Sequence, residues 1–375
     1  MRKFILRIII FSVPLFFLFL PPSWYLYKTK ENFFDLESFI KNPSHDKFLI
    51  GYTYNEKNYK FMKWKYINTK PKFEVWSLGS SRAMQFRKEM FDKSFFNAGF
   101  TVGRINEFLP FMKSIDCSKY PDVLIVTLDT WMFNAKYDKI EDVIDETKWE
   151  NSFKMYPNFT ILKSVWEDLI KDKFESNKTY KTDGFYRIGY NALYKNSGFR
   201  NDGSFYYGEQ INKLLSNDTT RSDSKFKNTF TKIDKGIERF EYGNTPNPKA
   251  FKELEKFLDY CQKNAIKVVL VMPPFAKAVY NKMLTSGNYK YIENIPEKCH
   301  TIASKNSFEY YDFTSPTVIN SKDSEFIDGF HGSEKVYLKM LIRMLEAQSI
   351  LNKKTEISQL KKELSNSISN YQVYK

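Results

Sequence analysis

Three histidines occur in 375 residues, His45, His300 and His331. Asp328 lies three positions before His331, in Asp328-Gly329-Phe330-His331. On a turn, or in a first helical turn, that spacing sets a carboxylate beside an imidazole. The carboxylate can fix the ring's tautomer and stabilise imidazolium, which is what a serine nucleophile requires of its base. A matching hydroxyl sits far upstream, in Leu78-Gly79-Ser80-Ser81-Arg82. A strand that runs into a Gly-Ser-Ser turn and then a helix aims a hydroxyl at a sheet edge. The glycine permits the tight turn, and the helix start offers unpaired N–H groups to an oxyanion. Each signal alone is weak. Serine is a common helix cap, a turn histidine often binds backbone, and an aspartate in such a turn caps a helix. Together, in this order, they favour Ser81 as nucleophile, His331 as base and Asp328 as its orienting partner.

Two other stretches stand at strand ends. Asn97-Ala98-Gly99-Phe100-Thr101-Val102-Gly103 is a turn in which a glycine N–H can approach a ligand. Leu128-Asp129-Thr130-Trp131 follows the clearest strand. Asp129 and Trp131 read as pocket lining, with core packing an equal reading for Trp131. Arg82, directly after the nucleophile, suits an anionic substrate; a salt-bridged or solvated side chain is the commoner role. No Cys or His cluster has metal-ligand spacing, and neither a metal nor an organic cofactor is expected. Cys117, Cys261 and Cys299 allow one disulfide plus a free thiol, or three reduced thiols.

Elements must bring these residues together. Short runs rich in β-formers predict strands at 73–78, 94–97, 122–128, 267–272 and 308–313. Apolar spacing predicts helices at 104–115, 248–264 and 333–349. Strands alternating with helices imply an α/β protein, a three-layer sandwich around a five-stranded, mainly parallel sheet. Such a sheet binds ligands at the carboxyl ends of its strands. Residues 135–247 break the alternation. They read as an insertion with helices near 160–175 and 208–216, either a cap that shapes a substrate groove or a surface elaboration. The stretch 350–375 reads as a frayed helix or a solvated tail.

With these motifs placed, the chain resembles the SGNH hydrolases, also called GDSL-type esterases and lipases. Their first block, Gly-Asp-Ser-Leu, is matched by Gly79-Ser80-Ser81-Arg82, which implies Ser81 rather than Ser80 as nucleophile. The second block's glycine is matched by Gly103, with Gly99 the runner-up, and this implies an oxyanion N–H. The fifth block, Asp-x-x-His, is matched by Asp328 and His331. The resemblance covers roughly 70–134 and 250–345. It departs from the family at Ser80, where an Asp is usual. It departs again at the third block, where Asp129-Thr130-Trp131 stands in place of an oxyanion-binding Asn and Asn134 lies slightly beyond. The pattern is similar to a membrane-anchored subgroup that includes the D-alanine-transfer protein of teichoic acid modification and the alginate O-acetylation proteins. That likeness implies acyl transfer or ester cleavage on a cell-envelope polysaccharide, beside a membrane-bound O-acyltransferase.

The N-terminus and the composition bound the rest. Arg2, Lys3 and Arg7 accompany an apolar run from Phe4 to Tyr27, close to the roughly 20 residues that cross a hydrocarbon core. The basic flank argues for a cytoplasmic N-terminus. Pro21-Pro22-Ser23-Trp24 is a poor cleavage site, so residues 1–30 read as an uncleaved anchor and 31–349 as a body outside the cytoplasmic membrane. A mean hydropathy of −0.51 excludes a multi-span protein, and an 18% aromatic share excludes wholesale disorder. The net charge of +14 points to anionic headgroups or an acidic polymer. No nucleic-acid motif is present, and nucleic acid is the weakest partner reading. The competing functional class is a non-catalytic envelope protein that binds glycan or acts as a scaffold.

Overall fold

The computed structural model describes residues 1–171, 184–221 and 223–374. They form two compact units. One comprises 1–62, 152–201 and 206–209; the other comprises 63–151, 202–205 and 210–375. Among the described residues the strands, in chain order, are β1 (Phe48–Ile50), β2 (Val75–Gly79), β3 (Phe95–Gly99), β4 (Val123–Thr127), β5 (Tyr186–Ile188), β6 (Ser197–Arg200), β7 (Phe205–Tyr207), β8 (Lys267–Met272) and β9 (Glu309–Asp312).

The larger unit is built on a five-stranded sheet of order β3-β2-β4-β8-β9, and every pairing in it is parallel. All five expected strands form. Their sequences explain the buried position. Val75-Trp76-Ser77-Leu78-Gly79 and Val123-Leu124-Ile125-Val126-Thr127 are buried at every residue. A strand covered on both faces needs continuous apolarity rather than alternation. The register aligns Gly79 with Gly99, Thr127 with Val271, and Met272 with Asp312. The carboxyl ends therefore share one edge. The chain steps from β2 outward to β3, then returns across β2 to β4, so the order reverses beside β2. A crevice opens at such a reversal, and Ser81 follows β2 directly.

The helix expected over 104–115 divides into a 3-10 turn, Ile105–Glu107, and an α-helix, Phe108–Lys113. Pro110 is the cause. Its ring clashes with the carbonyl four residues earlier, at Asn106, so one regular helix cannot include both. The helices Pro248–Lys263 and Glu334–Glu346 lie where expected. The C-terminal stretch is not a solvated tail. Helix Ile357–Ser365 packs on Glu334–Glu346, Leu360 is buried, and the amide of Val373 donates to the buried Glu334 carboxylate at 3.1 Å.

The smaller unit begins with a 27-residue helix, Arg2–Lys28, long and apolar enough to cross a membrane. After it, β1 pairs with β5 in parallel and with β6 antiparallel, in a sheet of order β5-β1-β6-β7. The Glu31 carboxylate accepts backbone N–H groups of Thr53 and Tyr190, each at 2.8 Å, and of Tyr54 at 3.2 Å. Burial pushes its pKa up to about 7 against those donors.

The stretch 135–247 is thus not one insertion. Residues 152–201 and 206–209 belong with the N-terminal 62, and the remainder belongs with the parallel sheet. The physical reason is strand pairing: β5 and β6 find their partner in β1. The helices there span Phe159–Ile170 and Gly208–Leu215. Residues 172–175 of the first expected helix lie outside the described residues.

Candidate active site

All the chemistry-bearing residues lie in the larger unit. Gly79 closes β2. A Cβ there would stand 1.9 Å from the Thr127 hydroxyl on β4, so only glycine lets the two strands approach. Ser80 then caps a 3-10 turn, Ser81–Ala83, its hydroxyl accepting the Arg82 N–H at 3.1 Å. This turn presents Ser81 at the sheet edge. At the other end of the sequence, Ile327 N–H donates to the His331 carbonyl at 2.8 Å, and Phe326 bridges Gly332. A tight loop therefore holds Asp328 to His331 just before helix Glu334–Glu346.

The two ends meet. Ser81 Oγ lies 2.8 Å from His331 Nε2, and His331 Nδ1 lies 2.7 Å from Asp328 Oδ2. The other Asp328 oxygen accepts the N–H groups of Phe330 at 3.0 Å and His331 at 2.9 Å. Burial pushes the Asp328 pKa up. The adjacent His331 ring and these hydrogen bonds outweigh it, and the net position is below the usual carboxylate range. An ionised Asp328 takes the Nδ1 proton as its hydrogen bond, which leaves Nε2 to accept from the serine. The arrangement can move the Ser81 proton onto His331. The Asp328 and His331 side chains are 19% and 13% exposed, and Ser81 is half-buried.

The other expected site residues divide differently. Arg82 is 1% exposed and faces inward. Its guanidinium donates to the carbonyls of Pro273 at 2.6 Å and Pro274 at 2.8 Å, pairs with Asp129 at 3.3 Å, and stacks 4.4 Å over the Phe275 ring. Its own carbonyl accepts the Tyr337 hydroxyl. Arg82 ties the Ser81 turn to the ends of β4 and β8, and its guanidinium is turned inward rather than toward an incoming anion. Asp129 is fully buried beside it. Burial raises its pKa, and Arg82, the Ser80 hydroxyl, Arg239 and His331 pull the other way without reversing the shift. Trp131 is 1% exposed and packs edge-on to Phe330, with 6.1 Å between centroids.

Gly103 does not offer a free amide. Its N–H donates to Glu107 Oε2 at 2.7 Å. The runner-up is equally engaged, Gly99 N–H donating to Asn97 Oδ1 at 2.8 Å. Asn134 gives its amide to the Glu241 carbonyl at 2.6 Å. Among the described residues, the Ser81 N–H donates to no protein acceptor. It stands at the start of its turn and is the one expected oxyanion donor left unoccupied. Sequence motifs miss this because glycine spacing reports backbone freedom and says nothing of where a nearby glutamate points.

Three more residues shape the site without any motif. Arg239 is exposed, holds a left-handed φ of 78°, and lies 5.7 Å from the Trp131 ring and 5.9 Å from Phe330. Its charge acts on both Asp129 and Tyr137. Tyr137 donates to the Gly103 carbonyl at 3.4 Å. Lys63 is buried, its ammonium donating to the carbonyls of Asn97 (2.9 Å), Gly99 (2.6 Å) and Gly203 (2.7 Å). That cage fixes the turn after β3, and burial pushes the Lys63 pKa well down. The cysteines are unpaired: Cys261 and Cys299 are buried, Cys117 exposed.

No protein-family model matches the chain, and no curated protein matches it.

Proposed function

We propose that this protein is a membrane-anchored acyl-transfer enzyme of SGNH type, acting through Ser81, His331 and Asp328 on an ester of a cell-envelope polysaccharide or a related polymer. The observation that carries the reading is the unbroken chain of contacts from Ser81 Oγ through His331 to Asp328, at 2.8 and 2.7 Å. The sheet supports it. Counted along the larger unit, its strand order is 2-1-3-4-5, the flavodoxin-like order whose ligands sit at the reversal. That order is compatible with a three-layer α/β arrangement of the SGNH kind, which is part of this proposal.

In the proposed reaction Ser81 Oγ attacks the acyl carbonyl and His331 Nε2 takes the hydroxyl proton. The tetrahedral oxygen receives the Ser81 N–H. Collapse expels the alcohol, which leaves with the proton from His331, and the acyl group stays on Ser81. Water or a sugar hydroxyl then gives its proton to His331 and attacks the acyl-serine, and His331 returns that proton to Ser81 Oγ as the bond to the acyl carbon breaks. Asp328 stays ionised and holds the ring throughout. Arg239, at the mouth beside Trp131 and Phe330, suits an anionic polymer better than the buried Arg82 does. Helix Arg2–Lys28 is the anchor, and the body lies outside the cytoplasmic membrane. A membrane-bound O-acyltransferase is the partner this reading calls for.

One observation favours a second reading. With the amides of Gly103 and Gly99 occupied, the oxyanion site has a single identified donor, and a lost donor costs about 2.7–4 kcal/mol of transition-state stabilisation. A glycan-binding scaffold that kept the fold would tolerate that loss. A fluorophosphonate probe separates the two. Labelling at Ser81 that disappears in both Ser81→Ala and His331→Ala, with acyl turnover reduced about 10³-fold or more, supports the enzyme. An unlabelled chain that still binds glycan supports the scaffold.

A further inference from the structure

The smaller unit carries apolar surface beyond what its own core uses. Helix Phe159–Ile170 has the sequence FTILKSVWEDLI and starts from the Asn158 side chain, which accepts the Ile161 N–H at 2.9 Å. Apolar residues occupy about half of its circumference at 3.6 residues per turn. The inner part of that arc is used: Val165 is buried, and Ile161 and Leu169 are half-buried. The outer part, Phe159, Leu162, Trp166 and Ile170, forms a stripe along the helix in which Leu162 and Trp166 are half-buried and the two ends are exposed. Phe159 is 67% exposed and Ile170 78% exposed. The opposite face is polar. Lys163 pairs with Glu167 at 3.8 Å, and Asp168 accepts the Tyr54 hydroxyl at 2.9 Å.

The stripe is continuous with the N-terminal helix. Trp166 Nε1 donates to the Leu18 carbonyl at 2.5 Å, and Leu18, Phe19, Phe159, Leu162, Trp166 and Ile170 line one groove with Lys163 as its single charged member. Leu18 is six residues before Trp24, where the aromatic belt begins, which is about 9 Å along the helix axis. An interfacial helix rests with its apolar face roughly 5–10 Å below the headgroups. The two depths agree. A soluble surface rarely leaves such contiguous apolar area uncovered, and Leu18 and Phe19 are already committed to lipid if the helix spans.

We infer that helix Phe159–Ile170 is a second membrane element, lying in the outer leaflet interface with Phe159, Leu162, Trp166 and Ile170 in the acyl region and Lys163 and Glu167 toward water. The protein then grips the bilayer through a span and a re-entering amphipathic helix. This fixes how its smaller unit is presented to the membrane. The inference rests on helix Arg2–Lys28 spanning the bilayer.

The test uses the full chain in phosphatidylcholine–phosphatidylglycerol vesicles, with Cys117→Ser and one introduced cysteine carrying an environment-sensitive fluorophore. The positions are Phe159→Cys, Ile170→Cys, Glu167→Cys on the polar face, and Phe11→Cys in the N-terminal helix. Nitroxide lipids should quench Phe11, Phe159 and Ile170 labels at least threefold more than the Glu167 label, and aqueous iodide should reverse that ranking. If the Phe11 label is lipid-quenched while the Phe159 and Ile170 labels respond to iodide like Glu167, the interfacial helix is refuted and the span stands. Labels at Phe159 and Ile170 shielded from both quenchers mean that a protein, a second copy or another partner, covers the stripe, and this also overturns the inference. A Phe11 label open to iodide overturns the span and the inference with it.

Discussion

Asp328 joins two jobs that are usually separate: one oxygen holds the imidazole, and the other caps its own loop through two backbone N–H groups. Its native pKa lies below its ordinary 3.8. The sign of the linkage follows. Above that ordinary value both folded and unfolded states are ionised and the stabilisation is complete; it is lost as pH falls through the lower native pKa. The Tm difference between the native chain and Asp328→Asn should be constant above about pH 4 and shrink below it, as thermal unfolding across pH 2.5–7 would read. A difference that grows on acidification would refute the assignment. That Ser81, His331 and Asp328 would come together was legible in the sequence, because so few histidines compete and the motif order is demanding. Arg82 was not, because an arginine after a nucleophile can turn outward or inward. What turns it inward is a pair of proline carbonyls 191 and 192 positions away. Arg239 was invisible for the same reason, since its aromatic neighbours come from two distant loops.

At the scale of elements, the parallel strands announced themselves because burial on both faces forces uninterrupted apolar runs. β1, β5 and β6 did not. They are three or four residues long, mixed in composition, and stable only through each other. Glycines divide along similar lines. Gly79→Ala would drive a methyl group into Thr127, whereas a Cβ at Gly103 meets no heavy atom within 4 Å. Gly79→Ala should therefore destabilise by about 1–3 kcal/mol and displace Ser81, with fluorophosphonate labelling falling in step with stability. Gly103→Ala should leave both unchanged, since the Glu107 contact uses only the backbone N–H. Impaired labelling in Gly103→Ala, with Tm unaltered, would return that glycine to the reacting centre.

At the scale of the whole molecule, the chain makes two units from interleaved segments, and Glu31 is the clasp of the smaller one. Its folded pKa of about 7 exceeds its ordinary 4.5. Between those values the folded state binds the proton more tightly, so stability is greatest below pH 4.5 and falls as pH rises to about 7. Glu31→Gln should remove that slope, worth on the order of 1–3 kcal/mol, in hydrogen exchange at the amides of Thr53 and Tyr190 measured at pH 5 and pH 8. An unchanged slope in the variant would assign it to another group. Composition foresaw the long apolar N-terminal helix, but not the second unit, because no local pattern shows that a stretch near residue 50 and one near residue 190 will pair.

That pairing also sets a timetable. Glu31 waits for Tyr190 across 159 positions, and β1 waits for both of its neighbours over a similar interval. At about 5–20 residues per second of synthesis, the delay is on the order of 10 s. During it the Phe48-Leu49-Ile50 strand has two open edges, and open edges pair with whatever strand arrives. The strand of this sheet that is made first is thus among the last to be paired, and its early life depends on what keeps those edges apart.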